Sequence, residues 1–148
     1  MAPALDLLPA KMRSTEARIV LLTIGLQESG LAHRRQIGGP ARGLLQFEEV
    51  GVRGVLTHQV SRGYAAEVCA ARHVVAVPIQ VYDMLDKDDI LAVALGRLLL
   101  WTDPRPLPAA GDVEGAWDLY TRTWRPGRSN RGDWDAHYEM ARTTVGGG

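Results

Sequence analysis

The chain has 148 residues, of which 46% are hydrophobic and 23% charged, which is the composition of an ordinary globular protein with enough residues for one hydrophobic core. Its 17 basic and 17 acidic side chains cancel, so no overall positive field attracts nucleic acid or an anionic membrane. The single cysteine, Cys69, excludes an intrachain disulfide and therefore a disulfide-stabilised secreted scaffold.

The N-terminal segment MAPALDLLPAKMRSTEAR lacks the basic start and the long apolar core of a secretory signal peptide. The apolar run at residues 19–26 is far shorter than the ~20 residues that span a bilayer. We therefore expect a chain that is made in the cytoplasm without a recognisable signal peptide and does not insert into a membrane.

The pattern over residues 14–28 predicts a helix that is buried on nearly all sides. Ser14 or Thr15 provides an N-cap, and Glu16 lies in the first turn, where the helix dipole favours an acid. Apolar residues then occupy every face instead of one stripe: Ala17, Ile19, Val20, Leu21, Leu22, Ile24 and Leu26. The Ser29-Gly30 pair ends the helix.

A segment rich in glycine and arginine follows and shows neither helical nor alternating periodicity, which predicts an irregular or β-like insert. Helical spacing returns from Val52 to Val60. Further helices are expected at about 62–74, 77–85, 88–101, 112–123 and 130–142, with Asp86 and Asp88 as candidate caps and the proline-rich TDPRPLPAAG as a connector. The predicted fold is mainly α: one domain over residues 1–145, and a disordered tail at 146–148.

Glu28 is the residue whose position requires an explanation. A carboxylate at a helix C-terminus faces the negative end of the helix dipole, and an apolar helix adds desolvation, so both effects raise its pKa. A carboxyl group that keeps its proton near neutral pH can serve as a general acid. The alternative is a solvated glutamate that only marks the end of the helix.

Two short motifs favour the catalytic interpretation. Glu28-Ser29 ends the helix, and Gly43-Leu44-Leu45-Gln46 follows after the loop. This order resembles the goose-type lysozyme and soluble lytic transglycosylase family, which has a catalytic Glu-Ser pair at the end of a buried helix and then a Gly-Leu-Met-Gln segment. The resemblance covers residues 15–60 and implies a lysozyme-like fold.

The resemblance implies further site residues. Glu48 matches the acid that helps to position water in goose-type lysozymes, whereas lytic transglycosylases use a single glutamate. The alternative is that Glu48 and its neighbour Glu49 are both surface acids. Ser29 and Gln46 are expected to contact substrate; Gln46 is alternatively an amide that braces the loop. The family's Ala-Tyr-Asn-Ala-Gly stretch has no counterpart beyond LLLWTDP, so Trp101 is the candidate to replace its tyrosine.

Other aromatic and charged residues have plainer interpretations. Trp117, Tyr120 and Trp124 either offer flat faces to sugar rings or belong to the core, of which their helical spacing is more typical. The loop arginines, Arg34, Arg35 and Arg42, either meet carboxylates of a cell-wall peptide or form a solvated charge cluster. Cys69 and His73 favour core packing over a metal site or a nucleophile.

Taken together, the sequence predicts an enzyme that cleaves the β-1,4 bond between N-acetylmuramic acid and N-acetylglucosamine in peptidoglycan, with Glu28 as general acid and base. Such chemistry requires no metal or organic cofactor. We expect a monomer that acts on glycan strands and not on nucleic acid, encoded by a bacteriophage or prophage and released to the wall or carried in a virion. The alternatives are a noncatalytic lysozyme-like protein that binds glycan or builds a phage particle, and a helical interaction protein whose motifs match by accident.

Overall fold

The computed structural model describes residues 1–127 and 130–146, and helices dominate this part of the chain. The α-helices are α1 (Ala2–Leu5), α2 (Thr15–Ser29), α3 (Glu49–Thr57), α4 (Arg62–Ala71), α5 (Pro78–Met84), α6 (Asp89–Trp101), α7 (Val113–Trp124) and α8 (Arg131–Gly146), with a 3-10 helix at Ala10–Met12. The prediction of a mainly α, single-domain protein is confirmed.

Helix α2 begins and ends as its sequence predicts. The Ser14 side chain caps the first turn by accepting a hydrogen bond from the backbone N–H of Ala17 at 3.1 Å. Gly30 ends the helix in the left-handed conformation, with φ of 64°, which glycine adopts without steric cost. Its buried residues lie on several faces, so other elements enclose much of α2.

The helices share one hydrophobic core, in which α2 packs mainly against α8 and α6, and α6 also packs against α1, α3, α4 and α7. Helix α8 makes the most extensive contact with α2, and α6, which is itself almost completely buried, also packs against it. Helix α1 covers α6 at the N-terminus, where Leu5, Leu8 and Met12 are buried. Asp88 caps α6 by accepting from the backbone N–H of Leu91 at 3.0 Å, as the sequence predicts.

The insert between α2 and α3 is irregular, in agreement with the sequence. Within the described residues it contains no strand, only isolated antiparallel bridges that join Arg42 to Arg35 and to Phe47. Residues 31–40 are exposed, whereas Leu45 and Phe47 enter the core. Three ion pairs attach the insert to the region that runs from the end of α5 to the start of α6: Arg34 with Asp89, Arg35 with Asp86, and Arg42 with Asp83.

The C-terminal end of the chain is helical further than its sequence predicts. Gly146, expected in the tail, is the last residue of α8, whereas residues 147 and 148 of the predicted disordered tail lie outside the described residues. In residues 1–127 and 130–146, no helix combines the length and the apolar character needed to cross a bilayer.

Gly43 provides a test of how tightly the insert is fixed. Its φ is +81°, and an added Cβ would lie 2.9 Å from the carbonyl oxygen of Leu85. We expect Gly43→Ala to lower the free energy of unfolding by about 1–3 kcal/mol, or the Tm by roughly 3–10 °C. Calorimetry at neutral pH measures this change.

Gly54 is the matched control, because it lies in α3 and an added Cβ would meet only open space there. Gly54→Ala should raise the free energy of unfolding by about 0.5–1 kcal/mol, since alanine loses less backbone entropy than glycine in a helix. Equal effects of the two substitutions would show that the backbone at Gly43 is not constrained as described.

Candidate active site

The last turn of α2 lines a groove that the insert closes on one side. The groove has a volume of about 480 Å³, within the range of small-molecule sites. Its lining residues are Gln27, Glu28, Ser29, Gly30, Ala32, His33, Arg35, Gln36, Ile37 and Gln46. The structure therefore brings together three of the residues singled out by sequence: Glu28, Ser29 and Gln46.

Glu28 is largely buried where it meets the groove, and this burial raises the pKa of its carboxyl group by desolvation. One hydrogen bond acts in the opposite direction: the Tyr120 hydroxyl donates to Oε1 of Glu28 at 2.6 Å and favours the ionised form. Desolvation is the larger effect, so the net pKa is raised. This is the property that a general acid requires.

Tyr120 is held by aromatic packing on α7 and α8. Its ring stacks on Trp134 with centroids 4.8 Å apart, and Trp117 and Trp124 pack at 5.6 and 6.5 Å. The pKa of the Tyr120 hydroxyl is raised by desolvation and by the neighbouring Glu28, so the phenol stays protonated and donates. A fixed ring with a protonated hydroxyl positions the Glu28 carboxyl.

Ser29 connects α2 to the insert. Its hydroxyl donates to the carbonyl oxygen of Leu44 at 2.6 Å and accepts from the N–H of Leu31 at 3.2 Å. The next carbonyl, that of Leu45, accepts a hydrogen bond from Nε1 of Trp124 on α7 at 2.9 Å. The Glu-Ser pair and the Gly-Leu-Leu-Gln segment thus meet in space, although the Ser29 hydroxyl is engaged in bracing the backbone.

Gln46 occupies an unusual backbone position beside the groove. Its φ is 54°, in the left-handed region that costs energy for a residue other than glycine, and its Nε2 donates to the carbonyl oxygen of Gly43 at 3.0 Å. Held in this way, the amide lines the same groove as Glu28. Strained backbone of this kind is frequent at functional sites.

The second candidate acid is placed differently. Glu48 is exposed at the N-cap of α3 and does not line the groove. Its neighbour Glu49 forms an ion pair with Arg53 one turn later, at 2.8 Å. Of the groove-lining residues in the described part of the chain, Glu28 is the only one with a carboxyl group.

Trp101 lies away from Glu28, contrary to the expectation that it takes the place of the family tyrosine. It ends α6 and lines a separate cavity near the N-terminus of α2. Tyr120, which the spacing assigned to the core, is the aromatic residue whose hydroxyl reaches Glu28. The end of α6 that carries Trp101 packs near Ser14, at the start of α2, and not near its last turn.

The loop arginines are engaged with carboxylates of the chain itself. Arg34 forms two hydrogen bonds with Asp89, at 2.9 and 2.8 Å, and Arg42 lies 3.1 Å from Asp83. These pairs are largely exposed, so solvent screening leaves each of them a small contribution to stability. They favour the interpretation of a solvated charge cluster that fixes the insert.

Neither metal binding nor thiol chemistry is favoured by the geometry. Across residues 1–127 and 130–146 no three His, Cys, Asp or Glu side chains converge as a metal site. Cys69 is buried in α4, and burial raises the pKa of its thiol, so the reactive thiolate is disfavoured.

Comparisons with known proteins add no assignment. No protein-family model, curated protein or solved structure matches the chain significantly.

Tyr120 is the site residue that sequence reasoning missed. It follows Glu28 by 92 positions, and no local pattern marks a tyrosine whose ring belongs to the core and whose hydroxyl makes a polar contact. The available signal was the resemblance to the goose-type lysozyme and lytic transglycosylase family, in which a tyrosine later in the chain lies close to the catalytic glutamate. Tyr120 is the tyrosine on the helix that carries Trp117 and Trp124.

The raised pKa of Glu28 has a consequence for stability. Below the unfolded-state pKa the carboxyl is neutral in both states and does not change the free energy of unfolding. The free energy of unfolding falls as pH rises from the unfolded-state pKa through the folded-state pKa, because the carboxyl then ionises more readily in the unfolded chain than in its buried position. We therefore expect Glu28→Gln, which stays neutral, to raise the Tm at pH 7 by a few degrees, roughly 3 °C per kcal/mol, and to change it little at pH 4.

Thermal unfolding across this pH range tests the expectation, with Glu48→Gln as the control. Because Glu48 is exposed, its substitution should change the free energy of unfolding by no more than ~0.5 kcal/mol at either pH. A Glu28→Gln variant that is less stable than the unsubstituted protein at pH 7 would contradict desolvation as the dominant effect.

Proposed function

We propose that the chain is a lysozyme-like enzyme that cleaves the β-1,4 bond between N-acetylmuramic acid and N-acetylglucosamine in peptidoglycan. The observation that carries the proposal is the buried Glu28 carboxyl, with its raised pKa, facing a groove that Ser29 and Gln46 also line. The Glu-Ser and Gly-Leu-Leu-Gln motifs add the resemblance to goose-type lysozymes and soluble lytic transglycosylases.

Glu28 performs two proton transfers in this proposal. The protonated carboxyl donates to the glycosidic oxygen as the bond to the muramic acid carbon breaks and positive charge develops on the sugar ring. The resulting carboxylate then removes a proton from the attacking oxygen, which restores the acid. The Tyr120 hydroxyl orients the carboxyl and stabilises its charged form between the two steps.

The groove favours lytic transglycosylase chemistry over hydrolysis. An inverting hydrolase needs a second carboxylate at roughly 6.5–9.5 Å to activate water, and a retaining one needs a nucleophile at about 5–5.5 Å. Glu28 is the only carboxyl among the described groove-lining residues, and Glu48 is exposed outside that lining. A single carboxyl suffices when the sugar's own hydroxyl attacks to give an anhydro product.

Digestion of isolated peptidoglycan tests the proposal. We expect the unsubstituted protein to release soluble anhydro-muramyl fragments, identified by mass spectrometry, and Glu28→Gln to reduce release by about 10²–10⁴-fold because the general acid is lost. Glu48→Gln is the matched control and should retain activity. Background release by both the unsubstituted protein and Glu28→Gln would reject the enzyme, and reducing ends would indicate a hydrolase.

The Tyr120 hydrogen bond gives a pH-dependent prediction. Tyr120→Phe keeps the ring that stacks on Trp134 and removes the donor that favours ionised Glu28, so the Glu28 pKa rises further. The alkaline limb of the kcat/KM profile reports the general acid and should move to higher pH. The control is Tyr138→Phe, whose hydroxyl accepts from the N–H of Gly111 away from the groove. An unmoved limb in Tyr120→Phe would argue against the assigned pair.

The second candidate function is a noncatalytic glycan-binding or phage structural protein with the same fold. It is favoured by the described groove lining, which contains no tryptophan or tyrosine to stack on sugar rings, and by the position of Trp101 in another cavity. Binding of peptidoglycan fragments without release of products would support it.

A further inference from the structure

A larger cavity lies at the opposite end of α2 from Glu28. Its volume is about 870 Å³, and Ser14, the N-cap of α2, lies in its wall. Fourteen residues at 1.5 Å each separate Ser14 from Glu28, so the two regions are roughly 21 Å apart. The cavity shares no lining residue with the groove, and it serves no step in the proposed cleavage.

A buried arginine faces this cavity. Arg97 is 2% exposed, and its Nε donates to the carbonyl oxygen of Met12 at 2.8 Å. Desolvation lowers the pKa of its guanidinium to about 10, and no carboxylate of the described residues pairs with it. Burying an unpaired charge is strongly unfavourable. Because one carbonyl occupies only Nε, the remaining N–H donors are available to an acceptor in the cavity.

Lys11 adds a second positive charge to the same wall. Its Nζ lies 5.3 Å from the centroid of the Trp101 ring, and the Arg97 guanidinium carbon lies 5.5 Å from the same centroid. Both cations are attracted to the same indole ring, and a bound anion would offset the repulsion between them. Arg105 also lines the cavity, which makes the positive charge of this region larger.

The one carboxylate among the described residues of the cavity wall is already occupied. Asp103 accepts hydrogen bonds from Arg122 on α7, the shorter at 2.6 Å, and its side chain is only 8% exposed. Arg122 is not part of the lining. Asp103 also accepts a hydrogen bond from the backbone N–H of Arg105 at 3.0 Å and interacts with the Arg105 charge. The charges of Lys11 and Arg97 therefore remain without a carboxylate partner among the described lining residues.

The rest of the wall is largely apolar. Val60, Leu100, Trp101 and Leu107 line the cavity together with two prolines of the connector between α6 and α7. Sites for small organic ligands combine such a wall with a few fixed polar groups. The guanidinium plane of arginine matches the paired oxygens of a carboxylate or phosphate.

We propose that this cavity binds a small organic anion, whose carboxylate or phosphate group contacts Arg97 and Lys11 and whose apolar body lies against Trp101 and Leu107. The site is independent of Glu28 and of the proposed cleavage. The occupant neutralises the two cations and fills the apolar part of the cavity.

Titration calorimetry with four probes tests the site: 4-phenylbutyrate, phenyl phosphate, the neutral 4-phenylbutanamide and inorganic phosphate. At least one of the two organic acids should bind and change tryptophan fluorescence, and the tighter of the two identifies the acidic group. The amide should bind at least about tenfold more weakly, because hydrogen bonds to a charged group are lost. Inorganic phosphate, which lacks the apolar body, should also bind more weakly.

Variants separate this site from others on the molecule. Lys11→Gln changes an exposed side chain, so it should fold normally and weaken binding of the tighter acid severalfold; Arg97→Gln should weaken it more. Arg53→Gln removes a cation from α3, outside the cavity lining, and Glu28→Gln alters the groove; both should leave the affinity unchanged. The proposal is overturned by any of three results: equal affinity for the acid and the amide, no binding of either acid at millimolar concentration, or unchanged affinity in Lys11→Gln.

Discussion

The apolar circumference of α2 is the constraint on which the rest of the structure depends. A helix with buried residues on several faces must be enclosed by other elements, and here α8, α6 and the insert enclose it. The same enclosure determines the environment of its last turn. Glu28 is therefore desolvated because other elements enclose the helix that carries it, and its raised pKa follows from the fold itself.

The end of α2 is fixed by contacts from two parts of the chain, the insert and α7. Ser29 holds the insert through the carbonyl of Leu44, Trp124 holds the next carbonyl from α7, and Tyr120 holds the Glu28 carboxyl. Each contact is a hydrogen bond between groups that water does not freely reach. A polar group in such a place is costly to leave without a hydrogen-bond partner. These contacts hold the Glu28 carboxyl in a fixed position. A fixed carboxyl is better suited to proton transfer than a mobile carboxyl on the surface.

Two regions at opposite ends of α2 have complementary chemistry. Near its C-terminus the groove contains one buried acid; near its N-terminus the larger cavity contains a buried arginine and a neighbouring lysine over one tryptophan. Both retain a polar group whose burial is unfavourable for stability alone. Proteins keep such groups mainly where they serve binding or chemistry.

Local sequence was sufficient to predict the helices from α2 onwards, the irregular insert, the caps at Ser14 and Asp88, and the prominence of Glu28, because periodicity, capping and the end of an apolar helix are local properties. The short helices before α2, at Ala2–Leu5 and Ala10–Met12, were not predicted. The distant side chains that complete the site became visible only in the folded chain. Tyr120 joins Glu28 across 92 positions, whereas Trp101 and Glu48 lie outside the groove. Helix packing determines these neighbours: spacing along the chain predicts which face of its own helix a residue occupies, but the partner of that face depends on how the helices assemble.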